Sequence, residues 1–108
     1  MKNISSEKLK KLAKAVIKTE QVALSALVDR IDDNFVDACN IILDCGGRVV
    51  ITGMGKSGHI ANKIAATLAS TGTPAFFVHP GEASHGDLGM ITPKDVVIAL
   101  STSLYIAL

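Results

Sequence analysis

A β-branched run that passes directly into a glycine-rich turn and a helical segment constrains the fold of this chain most strongly. The run "RVVIT" is closed by "GMGKSG", and the following "HIANKIAATLAS" carries alanines at helical spacing. This order is typical of a buried strand that turns at once into a helix. Two further strand-like runs, "PAFFVH" and "VVIAL", follow along the chain. Strands separated by such crossovers predict a parallel sheet with right-handed connections.

Capping residues and apolar periodicity give the bounds of the other elements. Ser5 and Ser6 are candidate N-caps of a first helix, and Asp32 and Asp33 offer caps for a second one. The connection "PGEASHGDLGMITPKD" is rich in glycine and proline and predicts a long loop with room for a short helix. The predicted helices cover residues 6–30, 33–45 and 57–71, and the predicted strands lie near residues 48–52, 75–79 and 96–100.

The predicted fold class is α/β, with a three-layer, flavodoxin-like parallel sheet and helices on both faces. We expect residues 1–47 to form an N-terminal helical segment and residues 48–108 to form the first half of the α/β sheet. The sheet is expected to be truncated after its third strand. A chain of 108 residues allows one small domain at most.

Composition excludes several classes of function. The net charge is +1 and only four residues are aromatic, so neither a basic patch nor a stacking surface indicates nucleic acid as a partner. We also expect no membrane partner, because there is no signal peptide and no apolar run of about 18 residues, which makes the cytoplasm the expected compartment. Cys39 and Cys45 are expected to be buried, reduced thiols, because their spacing fits neither a disulfide nor a metal pair.

The turn "GMGKSG" fits the dinucleotide fingerprint and also contains the tail of a P-loop. A P-loop needs a glycine where this chain has Val50, so that interpretation fails. A dinucleotide site needs an acid at the end of the second strand, where the chain reads His79-Pro80. A helix N-terminus with Ser57 as hydroxyl cap and the Lys56 ammonium nearby suits a single phosphate monoester. The alternative is a turn that serves only the close packing of strand and helix.

Ligands of open α/β sheets bind outside the carboxyl ends of the strands. Two histidines and two acids in "HPGEASHGDLGM" are expected there, and His79 and His85 are candidates for proton transfer or hydroxyl recognition. Their spacing matches none of the usual metal signatures, which disfavours a metal site. The hydroxyl-rich "STS" after the third strand could complete a phosphate cradle. The candidate binding residues at this edge are Gly55, Ser57, His79, His85, Ser101 and Ser103.

The runs "GMGKSGHI" and "STGTPAFFVHPGEASHGDLGM" strongly resemble the sugar isomerase (SIS) domain of bacterial arabinose-5-phosphate isomerases, and the resemblance covers roughly residues 9–103. It implies an aldose–ketose isomerase that interconverts ribulose 5-phosphate and arabinose 5-phosphate through an enediol and requires no cofactor. The product would feed synthesis of the eight-carbon acid sugar Kdo of lipopolysaccharide or capsule. The resemblance also implies a homo-tetramer whose sites are built from more than one subunit, and a CBS pair after the SIS domain.

The resemblance assigns roles to individual residues. Lys56 matches a lysine implicated in catalysis, and His85 matches a histidine implicated in substrate binding or ring opening. Gly72 and Thr73 match backbone that contacts substrate. His79 matches a histidine that touches substrate and can take an inhibitory zinc ion.

The chain departs from the family after the third predicted strand. The family continues "S-N-S-G-E-S" and then a catalytic acid, whereas this chain reads "STSLYIAL". The remainder of the SIS domain and the CBS pair are therefore expected to be absent. We expect the 108-residue form to be inactive alone and to associate or precipitate. A non-catalytic sugar-phosphate-binding or regulatory SIS module, or a truncated gene product, stays open as an alternative, and so does a nucleotide-dependent oxidoreductase.

Overall fold

The computed structural model of the chain describes residues 3–83 and 86–101. The chain comprises two compact units, residues 1–38 and 39–108. The division predicted at residues 47 and 48 follows a change from helices to strands and stays a prediction.

The first unit contains a long amphipathic helix, α1 (Ser6–Val28). Ser5 caps it as predicted, since its hydroxyl accepts a hydrogen bond from the Lys8 amide at 3.2 Å. Helix α2 (Asp33–Leu43) begins after Asp32, whose carboxylate accepts a hydrogen bond from the Asn34 amide at 3.0 Å. Both predicted helices therefore exist, and each ends two residues earlier than expected.

The second unit is a three-stranded sheet with the order β2-β1-β3, in which β1 pairs in parallel with both neighbours. Val49 is paired with Ala75 on one side and with Val96 on the other. The prediction of an α/β fold with a parallel sheet is confirmed. The elements are β1 (Val49–Gly53), α3 (Lys56–Ser70), β2 (Ala75–Phe77), a short helix α4 (Pro80–Ala83), a 3₁₀ helix (Asp87–Met90) and β3 (Val96–Leu100).

The core of this unit lies between the central strand and α3. Val49 and Ile51 of β1 and Ala61 and Ala65 of α3 form a buried cluster. The small alanine side chains let the helix approach the sheet closely, as their spacing predicts. Because only Met54 and Gly55 separate β1 from α3, this packing fixes the N-terminus of the helix beside the carboxyl end of the strand.

Arg48 holds the connection between β2 and β3 against the opposite face of the sheet. Its guanidinium lies 4.4 Å from the centre of the Phe76 ring, and its Nη2 donates a hydrogen bond to the Met90 carbonyl at 2.8 Å. Arg48 and Phe76 alternate with the residues that face α3, so the end of the 3₁₀ helix lies on the side away from α3.

Two expectations need correction. Strand β2 ends at Phe77 rather than at residue 79. The Val78 amide still donates to the Ile51 carbonyl of β1 at 3.0 Å, but the Val78 carbonyl accepts a hydrogen bond from the Thr52 hydroxyl, and Pro80 begins α4. The thiols of Cys39 and Cys45 are free, as expected, but they are only half-buried.

Among the helices of residues 3–83 and 86–101, none is long and apolar enough to cross a membrane.

Candidate functional site

The turn between β1 and α3 is built on three glycines, each with its own steric reason. A Cβ atom on Gly58 would lie 2.7 Å from the Gly53 carbonyl oxygen, and one on Gly53 would lie 2.9 Å from the Ser57 carbonyl. Gly55 has φ 59° and ψ −128°, in the left-handed half of conformational space that favours glycine. Close packing and backbone conformation therefore account for the whole glycine pattern. Evidence for a bound ligand must come from other observations.

The predicted cap of α3 is wrong. The helix begins at Lys56 and Gly55 occupies the N-cap position, so Ser57 is already the second helical residue. The positive φ of Gly55 turns the chain earlier than the sequence pattern indicates. The Ser57 hydroxyl is half-buried and makes no hydrogen bond within the described residues, so it is free to contact a ligand.

Hydrogen bonding at the start of α3 begins with Gly58. Its amide donates to the Gly55 carbonyl at 3.1 Å, and the His59 amide donates to the same carbonyl at 3.3 Å. Among the described residues, the amides of Lys56 and Ser57 have no acceptor, which is usual for the first turn of a helix. Together with the exposed Lys56 ammonium they offer an anion two N–H groups and a positive charge.

A cleft of about 310 Å³, lined in part by three polar side chains, opens beside this turn, between α3 and the end of β2. Two of its lining residues, His59 and Asn62, lie one helical turn apart on α3 and had no role in the sequence predictions. Their spacing of four and seven residues from Gly55, which lies on one face of a helix, is the sequence pattern that could have identified them. The cleft is lined by Gly55, Gly58, His59, Asn62, Phe77 and His79.

His79 lies exposed after β2, at the carboxyl edge of the sheet, as predicted. Its Nδ1 accepts a hydrogen bond from the Gly81 amide at 3.0 Å, so the neutral ring carries its proton on Nε2. The Phe77 ring packs edge to face against it, with 6.4 Å between ring centres. His79 can therefore donate a hydrogen bond from Nε2 into the cleft.

The inhibitory zinc ion that the resemblance implies at His79 stays a prediction. Because Nδ1 of His79 accepts a hydrogen bond from the Gly81 amide, a metal ion at Nε2 would have to displace the Nε2 proton. In the part of the chain that the structure describes, no three His, Cys, Asp or Glu side chains are grouped to hold a metal ion.

A second, mostly apolar crevice of about 300 Å³ lies at the carboxyl ends of β1 and β3. The sheet order β2-β1-β3 makes this the point at which successive connections leave in opposite directions, where α/β proteins usually bind ligands. The crevice is lined by Thr52, Gly53, Met54, Pro80, Ala99, Leu100 and Ser101.

The structure does not bring every predicted site residue to this edge. Gly72 and Thr73 follow α3, whose 15 residues span about 22 Å, and therefore lie at the amino end of the strands. The substrate contact that the resemblance gives them stays a prediction, and one site shared with Ser57 would need a second subunit. Ser101 follows β3 and lines the apolar crevice. His85 and Ser103 lie outside the described residues.

Comparison with known proteins gives close relatives. The chain is 64% identical over 91 residues to arabinose 5-phosphate isomerase KdsD of Pseudomonas aeruginosa, which covers 84% of this chain and 28% of that protein. It is 58% identical over 98 residues to arabinose 5-phosphate isomerase GutQ of Escherichia coli K12, covering 91% of this chain and 30% of the relative. The chain thus spans less than a third of the length of these curated relatives.

A solved structure is similar across most of the chain. It is an Escherichia coli CFT073 protein in complex with arabinose 5-phosphate. The match covers 93% of this chain and 53% of the chain of that protein, with a TM-score of 0.86 and 46% sequence identity. The family model of the SIS domain matches residues 41–106, which contain the whole sheet, the turn and both clefts. This chain therefore belongs to the SIS domain family.

Proposed function

We propose that this chain is the substrate-binding part of a sugar-phosphate aldose–ketose isomerase that interconverts arabinose 5-phosphate and ribulose 5-phosphate. The observation that carries the proposal is the similarity, at a TM-score of 0.86, to a protein in complex with arabinose 5-phosphate. The names of the curated relatives support the same substrate. The two free amides at the start of α3 and the Lys56 ammonium supply what a phosphate monoester or a developing oxyanion requires.

The reaction needs proton transfer and no change of oxidation state overall. A base removes the proton from C2 of the open-chain aldose while the carbonyl oxygen O1 gains a proton, which gives the enediol; C1 is then protonated and the hydroxyl O2 loses its proton, which gives the ketose. The proposed role of Lys56 is to stabilise the negative charge that develops on the substrate oxygen. The proposed role of His85 is to assist ring opening or substrate binding. No redox cofactor is required, because the electrons stay within the substrate, and the resemblance implies no other cofactor.

The wider setting of the activity forms part of the proposal and is supported by the resemblance. The enzyme acts in the cytoplasm as a homo-oligomer, and its product serves the synthesis of Kdo for lipopolysaccharide or capsule. Its partners are the sugar phosphate and further copies of the chain, with no role for nucleic acid or a membrane.

A second candidate is a sugar-phosphate-binding or regulatory SIS module without turnover. The sequence after β3 favours it, because "LYIAL" stands where the family has a glycine turn and an acid for catalysis. Both candidates bind the same ligand, so binding alone does not separate them.

Calorimetry with arabinose 5-phosphate and with NAD tests the ligand class. We expect heat with the sugar phosphate and none with NAD; heat with NAD alone would replace the proposal by the oxidoreductase alternative.

A domain graft tests turnover. Residues 1–101 would be joined to the remainder of the Pseudomonas aeruginosa relative, with and without Lys56→Met. We expect the graft to convert arabinose 5-phosphate, and Lys56→Met to lower kcat by a factor of about 100 or more, the usual loss when an oxyanion donor is removed. An intact-Lys56 graft that binds the sugar phosphate without converting it would favour the regulatory module.

A further inference from the structure

The cleft between α3 and β2 contains two polar side chains, His59 and Asn62, that have no part in the proposed catalysis. His59 and Asn62 lie on one stripe of α3, three residues apart, and both are exposed. Within the described residues neither side chain makes a hydrogen bond, so their donors and acceptors are available to a ligand. The cleft volume of about 310 Å³ lies at the lower end of the range for small-molecule sites.

The residues that line the cleft lack the cationic side chains that a phosphate group requires. None of the described lysines or arginines lines the cleft. The backbone amides of Gly58 and His59 already donate to carbonyl groups of the turn, so they cannot cradle an anion. Among the described residues, the amides of Lys56 and Ser57 are free and do not line the cleft, and the amide of Gly55, which does line it, also has no acceptor. The positive charge and two of the free amides that an anion requires therefore lie at the start of α3, outside the cleft.

The chemistry suits sugar hydroxyl groups. The Asn62 carboxamide both donates and accepts hydrogen bonds, as a hydroxyl group requires of its partner. His79 presents an Nε2 donor, since its Nδ1 is bound to the Gly81 amide. Phe77, which is half-buried, adds an apolar wall that can pack against the C–H groups of a carbon chain.

We propose that His59 and Asn62, with His79, bind the hydroxyl groups of the sugar chain while the phosphate is held by the amides of Lys56 and Ser57. This inference rests on the proposed function and deepens it, because it makes His59 and Asn62 specificity-determining residues for a polyhydroxy chain. Gly55 lines the cleft and is also the N-cap residue directly before Lys56, so the two subsites adjoin.

The test compares two ligands in three variants of the 108-residue chain. Calorimetry measures the Kd of arabinose 5-phosphate and of inorganic phosphate for the unaltered chain, His59→Ala, Asn62→Ala and the control Asn40→Ala. Asn40 is an exposed asparagine of α2 outside the cleft. All three replacements introduce alanine at exposed helical positions, where it favours the helix.

We expect His59→Ala and Asn62→Ala each to weaken arabinose 5-phosphate binding by a factor of about 3 to 10, the value of one neutral hydrogen bond. Phosphate affinity should stay unchanged in both, and Asn40→Ala should change neither ligand. Unchanged sugar-phosphate affinity in both cleft variants would overturn this inference alone, and so would an equal loss for the two ligands. An unaltered chain that binds no arabinose 5-phosphate would instead overturn the proposed function, and the inference with it.

Discussion

Ser57 is a residue whose side chain can be replaced without disturbing the fold. Its hydroxyl neither caps α3 nor bonds to another described residue, yet its amide is one of the two that an anion can reach. A side chain with no structural partner can be removed without leaving a buried polar group unpaired.

Ser57→Ala should therefore weaken sugar-phosphate binding and leave stability unchanged. A lost hydrogen bond to a charged phosphate corresponds to a factor of about 10 or more in Kd. The loss of about 1 kcal/mol that accompanies removal of a cap does not apply, because Gly55 holds that position. Calorimetry and thermal unfolding on the same preparation measure both quantities. Equal affinity in the variant would show that the Ser57 hydroxyl does not contact the phosphate.

Sequence patterns located the residues of the turn and the edge but not all of their roles. Ser57 followed a glycine pattern and looked like a cap, because a sequence does not reveal that Gly55 takes a positive φ. His59 and Asn62 were missed, since a ligand-facing stripe on α3 becomes visible only when β2 is placed beside it. The tautomer of His79 likewise depends on a backbone amide two residues along the chain.

At the scale of elements, the bounds of the strands were predictable to within two residues, because β-branched runs and glycines mark them. The role of Asp95, whose side chain connects two of these elements, was not predictable. Asp95 accepts hydrogen bonds from the amides of Arg48 and Thr92, both at 2.7 Å, and so joins the start of β1 to the turn before β3. Nothing in local spacing pairs residue 95 with residue 48.

Gly58→Ala tests the contact between strand and helix. The new Cβ atom would lie 2.7 Å from the Gly53 carbonyl oxygen, so α3 must move away from β1. We expect a loss of about 1–3 kcal/mol, as for other overpacked sites, measured by urea unfolding. Gly46→Ala is the matched control, because a Cβ atom there meets nothing within 4 Å. Equal stability of the two variants would contradict the proposed steric role.

Asp95 should make the stability of the second unit depend on pH. Its hydrogen bonds with the Arg48 and Thr92 amides lower the pKa of this carboxyl group. The contribution to stability is therefore complete above the unfolded-state pKa of about 3.9 and is lost as the pH falls through the lower folded-state pKa.

Asp95→Asn should destabilise the protein at pH 7 and flatten this acid dependence, which urea midpoints at pH 7 and pH 3 would measure. Asp44→Asn is the control, since Asp44 is exposed and its side chain has no partner among the described residues. An identical drop on acidification in Asp95→Asn and in the unaltered chain would show that other carboxyl groups control it.

At the scale of the whole molecule, the described residues expose much apolar surface. Val22 and Val28 of α1 are 72% and 70% exposed, and Leu43 of α2 is 79% exposed. Large apolar patches on a soluble protein usually mark surfaces that associate. The composition indicated a rich apolar content, but the sequence did not reveal how little of it the described fold buries.

We expect the 108-residue chain to self-associate through the exposed apolar residues of α1, as sedimentation velocity over a range of concentrations would show. Val22→Glu should shift the distribution toward smaller species, because it places a charge on an apolar site. Gln21→Glu adds the same charge at a polar position of the same helix and should leave the distribution unchanged. A chain that sediments as a monomer at every concentration would contradict this expectation.

The close approach of Gly53 and Gly58 has a consequence for how such motifs evolve. Because a methyl group at either position would collide with backbone, selection for a folded product alone keeps both glycines, whether or not the descendant binds anything. A saturation-mutagenesis library sorted only for folded protein should therefore recover glycine at these two sites and accept many residues at Lys56. Sorting the same library for sugar-phosphate capture should then restrict Lys56 and Ser57. The two glycines should therefore be retained in any descendant that folds, whereas the polar residues between them and along α3 should be retained only in descendants that bind the ligand.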